Sequence, residues 1–345
     1  MMTKPLTVTL QRYSTISRYK LLLLVLFSIA LLSCDSESQN QEIVKSVVIE
    51  PEEPTVPDVI LEALNDASSY DMPRFQFQSR FGSREKYEIW SMKIDGSDIR
   101  LVLSAEELYR DGFSHLSQHM SRSPDGRYVA LVQKPDEGNN ARVLYDLKTR
   151  ERTVMVKNSA VVPSIRWTED SKQVLFYSWS YKESNAYLYQ FDVKEKKLRK
   201  GPNNIDSSEF YPIKNDSEFI AITKQGFVRY DWVGKKLNEV KLAERIHTRS
   251  HAVSRNGKTM VYKLYKGAYP AFIVIHLNKP HEVLFSLKER SDNFMLDYWG
   301  NNLYYLGFGG INTVNLKTKT KSRILNSYDF FSGFHNLNLY NDKER

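Results

Sequence analysis

Ser123-Pro124-Asp125-Gly126-Arg127 followed by Tyr128-Val129-Ala130-Leu131 is the stretch on which the fold turns, because it recurs. Glu169-Asp170-Ser171-Lys172 leads into Gln173-Val174-Leu175-Phe176, and Asn215-Asp216-Ser217-Glu218 into Phe219-Ile220-Ala221-Ile222. Arg255-Asn256-Gly257-Lys258 leads into Thr259-Met260-Val261-Tyr262, and Gly300-Asn301-Asn302 into Leu303-Tyr304-Tyr305-Leu306. Aligning Gly126, Ser171, Ser217, Gly257 and Asn301 gives periods of 45, 46, 40 and 44 residues. Asp, Asn and Ser bond back to nearby backbone, and Gly or Asn accepts the positive φ of a tight hairpin. Each copy therefore reads as the hairpin between two strands, at the period of a four-stranded propeller blade.

Each second strand is followed by a third that ends in a polar turn: Tyr145-Asp146-Leu147-Lys148, Phe191-Asp192-Val193-Lys194, Tyr230-Asp231-Trp232-Val233, Ile275-His276-Leu277-Asn278 and Val314-Asn315-Leu316-Lys317. Short apolar runs such as 152–156 and 323–325 supply fourth strands. An incomplete unit lies upstream, with Phe75-Gln76-Phe77-Gln78, Ile89-Trp90-Ser91-Met92 and Leu101-Val102-Leu103 as second to fourth strands and no first. Residues 331–339 are left over at the other end, so they are expected to fill that place and remove the exposed sheet edge. The expectation is an all-β, six-bladed propeller of four-stranded blades over 72–345, its ring closed by a C-terminal strand.

Three patterns carry a family resemblance: Ser-Pro-Asp-Gly-Arg at 123–127, Ile-Trp-Ser-Met-Lys-Ile-Asp-Gly-Ser at 89–97 and Leu-Tyr-Asp-Leu-Lys-Thr at 144–149. They resemble the WD40-like repeats of TolB-type propellers across residues 72–340. The resemblance implies the fold rather than an activity, since these repeats occur in periplasmic scaffolds, in sensors and in the non-catalytic domain of prolyl oligopeptidases. TolB carries a folded domain ahead of its propeller, and its partners are not transferred to this chain.

The residues before the repeats divide in two. Lys4, Arg12, Arg18 and Lys20 precede an uncharged apolar run from Leu21 to Leu32, which is too short to span a bilayer and fits a secretory h-region. Leu31-Leu32-Ser33-Cys34 follows, and it resembles the lipobox of bacterial lipoproteins, which predicts a signal peptide over 1–33 and lipidation at Cys34. In that family the cysteine becomes the N-terminus and carries acyl chains such as palmitate, each buried methylene contributing about 0.8 kcal/mol. Cys34 is the only cysteine, so no internal disulfide exists. Residues 34–71 hold ten acidic residues against Lys45, with Pro51, Pro54 and Pro57, and read as an extended acidic tether. Asp35 resembles the signal that retains enterobacterial lipoproteins in the inner membrane facing the periplasm; an outer-membrane location is the alternative.

The net charge of +8, with +4 before Cys34 and −9 in the tether, leaves +13 on 72–345. So basic a domain outside the cytoplasm points to an envelope protein or an anionic glycan or lipid as partner, and away from nucleic acid. No Gly-x-Ser-x-Gly elbow, phosphate loop or His-Glu-x-x-His helix occurs, and no cofactor motif. A membrane-tethered binding or scaffold module is the leading reading. The alternative is a metal-dependent enzyme of polysaccharide-lyase type, acting on acidic glycans through channel histidines.

Candidate site residues are few. His119 and His335 fall in strands expected to line the channel. His251 is four residues after His247, as His119 is after His115, but the turn alignment puts His119 and His251 on opposite faces. Trp167 shares the parity of Ile213 and Val253, hence core packing between blades. Arg122 has that parity too, where an unpaired charge is costly, so either the register shifts there or Arg122 reaches the channel to meet an anion.

Overall fold

A computed structural model of the chain describes residues 73–340, apart from 82–84, 158–163, 181–184, 204, 206, 208, 214–215, 265–270, 290, 292, 308–309 and 327–330. Cys34, the apolar run and the acidic stretch lie outside the described residues. No helix among the described residues is long and apolar enough to cross a membrane.

The apolar–polar alternation of the repeats folds into six four-stranded antiparallel sheets. Blade 2 shows the pattern: β4 (Phe113–Arg122), β5 (Tyr128–Pro135), β6 (Ala141–Asp146) and β7 (Glu151–Val156) pair in chain order from the ring axis outward. Blade 3 is β8 (Ile165–Trp167), β9 (Gln173–Ser180), β10 (Asn185–Asp192) and β11 (Lys197–Lys200). Blade 4 comprises β12 (Phe210–Ile213), β13 (Glu218–Thr223), β14 (Gly226–Asp231) and β15 (Lys236–Lys241). In blade 5 the strands are β16 (Ile246–Val253), β17 (Thr259–Leu264), β18 (Ala271–His276) and β19 (Lys279–Lys288). Blade 6 contains β20 (Phe294–Leu296), β21 (Asn302–Gly307), β22 (Gly310–Asn315) and β23 (Lys321–Asn326).

Blade 1 takes its strands from both ends of the described chain. Its sheet runs β24 (Phe331–Tyr340), β1 (Arg74–Phe81), β2 (Glu88–Lys93), β3 (Arg100–Leu103), with Arg74 opposite Tyr340 and Phe75 opposite Leu339. The closing strand expected from 331–339 is thus in place. One element escaped the sequence reading: a single-turn helix, α1 (Ala105–Leu108), between blades 1 and 2. Its signal is Ser104 and Glu107, which form a reciprocal capping box.

Apolar faces of neighbouring blades fuse into clusters, such as Phe75, Phe77 and Trp90 of blade 1 with Met295, Tyr304 and Ile311 of blade 6. Trp167 is buried as expected; its indole donates to the Ser121 carbonyl at 3.1 Å and stacks on Tyr128 of blade 2. Arg142 is fully buried at the same seam, donating to the Tyr177 carbonyl at 2.7 Å over the Phe176 ring. Burial pulls its guanidinium pKa down to about 9.

The turns correct the alignment by one residue in two blades. Positive φ falls on Gly126, Ser171, Asp216, Gly257 and Gly300, so Asp216 and Gly300 replace Ser217 and Asn301. Hydrogen bonds from the N–H of Gly126, Ser171, Gly257 and Gly300 to the carbonyl three residues back confirm the equivalence. Trp167 therefore aligns with Pro212 and Val253, not Ile213. The left-handed residue also touches the preceding blade: a Cβ at Gly300 would sit 2.6 Å from Thr259 Cβ and collide with its hydroxyl. Gly300→Ala combines that clash with backbone strain and is expected to cost about 2–3 kcal/mol, read as a lower denaturant midpoint at unchanged slope.

Candidate functional site

Counting back from the left-handed turn residues places inner-strand side chains on common levels. Five residues before lie Ser121, Arg166, Tyr211, Ala252 and Met295; seven before lie His119, Ser164, Glu209, Ser250 and Asn293. Strand alternation puts the first set on one face of the inner strands; the second set lies just before β8, β12 and β20 and in the irregular stretches of β4 and β16.

A connected polar cluster crosses blades 3, 4 and 5. Ser164 Oγ donates to Glu209 Oε2 at 3.3 Å, and Arg166 Nη2 lies 3.9 Å from the same oxygen. The Arg166 guanidinium stacks 4.3 Å from the centre of the Tyr211 ring, its Nη1 donates to the Ile165 carbonyl, and its Nε has no hydrogen-bond partner among the described residues. The Tyr211 hydroxyl is 2.8 Å from the His251 carbonyl and 2.9 Å from His251 Nδ1. A carbonyl only accepts, so the single phenolic proton goes to it, and His251 Nδ1 must donate to the phenol oxygen.

Burial pushes the Tyr211 phenol up to about 12, with Glu209 adding to the rise and Arg166 opposing it. The phenol therefore stays protonated across the working range of a protein and serves as a fixed donor. Its pKa is raised on folding, so the stability it contributes is present below about pH 10 and is lost as pH climbs to about 12. Denaturation of the wild type between pH 9.5 and 12 is expected to show a loss of on the order of 2–3 kcal/mol that Tyr211→Phe lacks.

One face of the ring is bridged near its axis. The Tyr298 hydroxyl, in the turn of blade 6, donates to Glu169 Oε1 at 3.1 Å in the turn of blade 3, the blade opposite. Neighbouring turns are linked as well: Asp125 N–H to Ser171 Oγ at 3.0 Å, Glu169 N–H to Asp216 Oδ2 at 2.5 Å, and the Asn256 side chain to the Trp299 carbonyl at 3.0 Å.

Of the residues singled out from sequence, His119 is half-buried on the level of Glu209 and Ser250. His335 lies in β24 opposite Gln78, and its side chain is outside the described part. Arg122 stays at the seam although the register of β4 shifts just upstream, between Leu116 and Met120. It stays in register opposite Val129, only 1% exposed, and turns away from solvent to donate from Nε to the Gly126 carbonyl at 2.6 Å and from Nη1 to Gln76 Oε1 at 3.1 Å, over the Tyr340 ring. Among the described residues, no three His, Cys, Asp or Glu side chains converge as a metal site. Arg166, Glu209 and Tyr211 were missed in the sequence; the period of 45 residues that relates Arg166 to Tyr211 was the available signal.

The sequence matches no family profile and no curated protein. Solved structures are similar in fold. TolB from Acinetobacter baumannii matches with a TM-score of 0.55 at 18% identity over 77% of this chain, which spans 66% of the TolB chain. A nidogen/laminin complex matches with 0.51 at 7% identity, over 77% of this chain and 98% of the other. An oligogalacturonate lyase in complex with manganese gives 0.49 at 14% identity, over 70% and 71%. At such identities the likeness is one of fold, and with the six sheets it makes this chain a six-bladed, TolB-like β-propeller.

Proposed function

We propose that the chain is a binding or scaffold module tethered to a bacterial membrane through lipid on Cys34, engaging an envelope protein or an anionic envelope component through its outer surface. The observation that carries this reading is where the domain's charge is placed. Arg166, Tyr211 and His251 of the inner strands and Glu209 just before β12 are engaged with one another across blades, whereas all four residues of β11 are exposed and exposed Lys194 and Lys196 precede them. Such a rim attracts anionic partners at long range.

Metabolic labelling of the full chain with a palmitate analogue tests the tether. Label at Cys34, and its loss together with release from the membrane fraction in Cys34→Ser, is the expected result; an unlabelled chain recovered in the soluble fraction overturns it. Adsorption to an anionic matrix that weakens with salt and with Lys194→Gln/Lys196→Gln tests the partner class.

A further inference from the structure

We propose that the face formed by the first-to-second and third-to-fourth hairpins docks on an anionic lipid bilayer. The antiparallel meander puts both sets of hairpins at one end of every blade. The tips of the outer set are lysine-rich: Lys148 in blade 2, Lys194 and Lys196 in blade 3, Lys235 in blade 4, Lys317 and Lys319 in blade 6, all exposed. Edge protection does not account for them. Charges that block strand addition belong within the ladder, whereas these lie in the turns between strands.

Backbone conformation gives a second, independent indication. The third-to-fourth turns need a left-handed residue, supplied by Gly234 in blade 4 at φ 86°. One residue further along the turn, blades 2, 3 and 6 place Arg150 at φ 59°, Lys196 at φ 51° and Lys319 at φ 61°, although glycine or asparagine would adopt that conformation with less strain. Arg150 uses its charge on Glu107 and Lys319 reaches the Leu284 carbonyl, so it is the exposed Lys196 that carries this indication. The N–H groups of the turns in blades 3, 4 and 6 are accepted by Asp192, Asp231 and Asn315.

The blade 4 tip adds an apolar element. Val233 is 82% exposed between Trp232 and Gly234, with exposed Lys235 and Lys236 following. An apolar side chain at the apex of a lysine-flanked turn suits the boundary between headgroups and acyl chains. The described chain enters the propeller at this same end, because Arg74 opens the second strand of blade 1 opposite Tyr340. This inference rests on the membrane-tether reading and adds to it the face that meets the bilayer.

The test uses full-length protein in vesicles of phosphatidylcholine alone or mixed with phosphatidylglycerol, with lysine acylation rates read by mass spectrometry. Flotation first reports whether the chain is held at all. On the anionic vesicles, acylation of Lys148, Lys194, Lys196, Lys235 and Lys317 is expected to slow about fivefold or more, reverting at ~0.5 M salt. Exposed Lys134 and Lys224, near the other end of their blades, keep the same rate in both vesicles. Val233→Asp and Lys194→Glu/Lys196→Glu abolish the slowing. A chain that floats with equal rates on both vesicles overturns this inference and leaves the tether standing; a chain that floats with neither overturns both. Slow tip acylation already present without vesicles, and relieved by neutralising the acidic residues of 35–71, assigns the face to the chain's own acidic segment and overturns the proposal.

Discussion

A chain ending at residue 330 is expected to lose cooperative unfolding altogether. Without β24, blade 1 keeps three strands, and the inner edge of β1 faces the axis unpaired from Arg74 to Phe81. The deleted strand also carries Leu337, Leu339 and Tyr340, which are 4%, 8% and 0% exposed. The two leucines belong to the cluster joining blade 1 to blade 6. Tyr340 packs on the other side, under the Arg122 guanidinium and against Gly126 of blade 2. Each such side chain is worth about 2–5 kcal/mol when removed from a core, before any ladder hydrogen bond is counted. Three of them together reach the 5–15 kcal/mol by which a domain is typically stable. Far-ultraviolet circular dichroism through a denaturant titration checks this: the intact chain gives a sigmoid, the truncated chain a gradual drift. A truncated chain that melts cooperatively near the intact midpoint would show that five blades and a remnant suffice.

The ring was legible because its repeats are punctuated by turn residues whose backbone chemistry is explicit. Ser123-Pro124-Asp125-Gly126 shows a hairpin without any knowledge of its surroundings, and the spacing of its copies counts the blades. Where side-chain type and backbone conformation part, that legibility ends. Asp216 takes the left-handed conformation although Ser217 matched Ser171 by residue type, which displaced blade 4 by one position. A displacement of one flips every side chain to the other face. With Asp216 in place, Arg166 and Tyr211 fall on one level, and the contact between their blades follows; with Ser217 it stays hidden. The Tyr298–Glu169 bridge joins residues 129 apart in sequence, on opposite blades, and no local pattern encodes it.

Arg122 marks the same limit from the other side. Parity placed it among apolar seam residues, and the physical cost of a charge there suggested escape to the channel. The structure solves the cost differently, by bringing partners to the charge. Nε and Nη1 donate to the Gly126 carbonyl and to Gln76 Oε1, and the Tyr340 face receives the guanidinium 4.5 Å from its centre. Gln76 is itself buried, and its Nε2 donates to Met120 Sδ at 3.5 Å, so the amide orientation is fixed from both ends. Arg122→Ala empties a large volume at the seam of blades 1 and 2 and strips two buried carbonyl oxygens of a charged donor. The expected loss is about 3–5 kcal/mol. Arg122→Met refills the volume without the donors and is expected to recover roughly half of it. Lysine does not rescue, since a single ammonium cannot reproduce the planar fork that serves both acceptors while lying flat on the ring. Adding Gln76→Leu to Arg122→Met removes the stranded acceptor, so the double variant is expected to be more stable than the sum of the single losses predicts. Urea titrations of the four proteins supply the cycle. Additive losses would mean that Gln76 does not depend on Arg122.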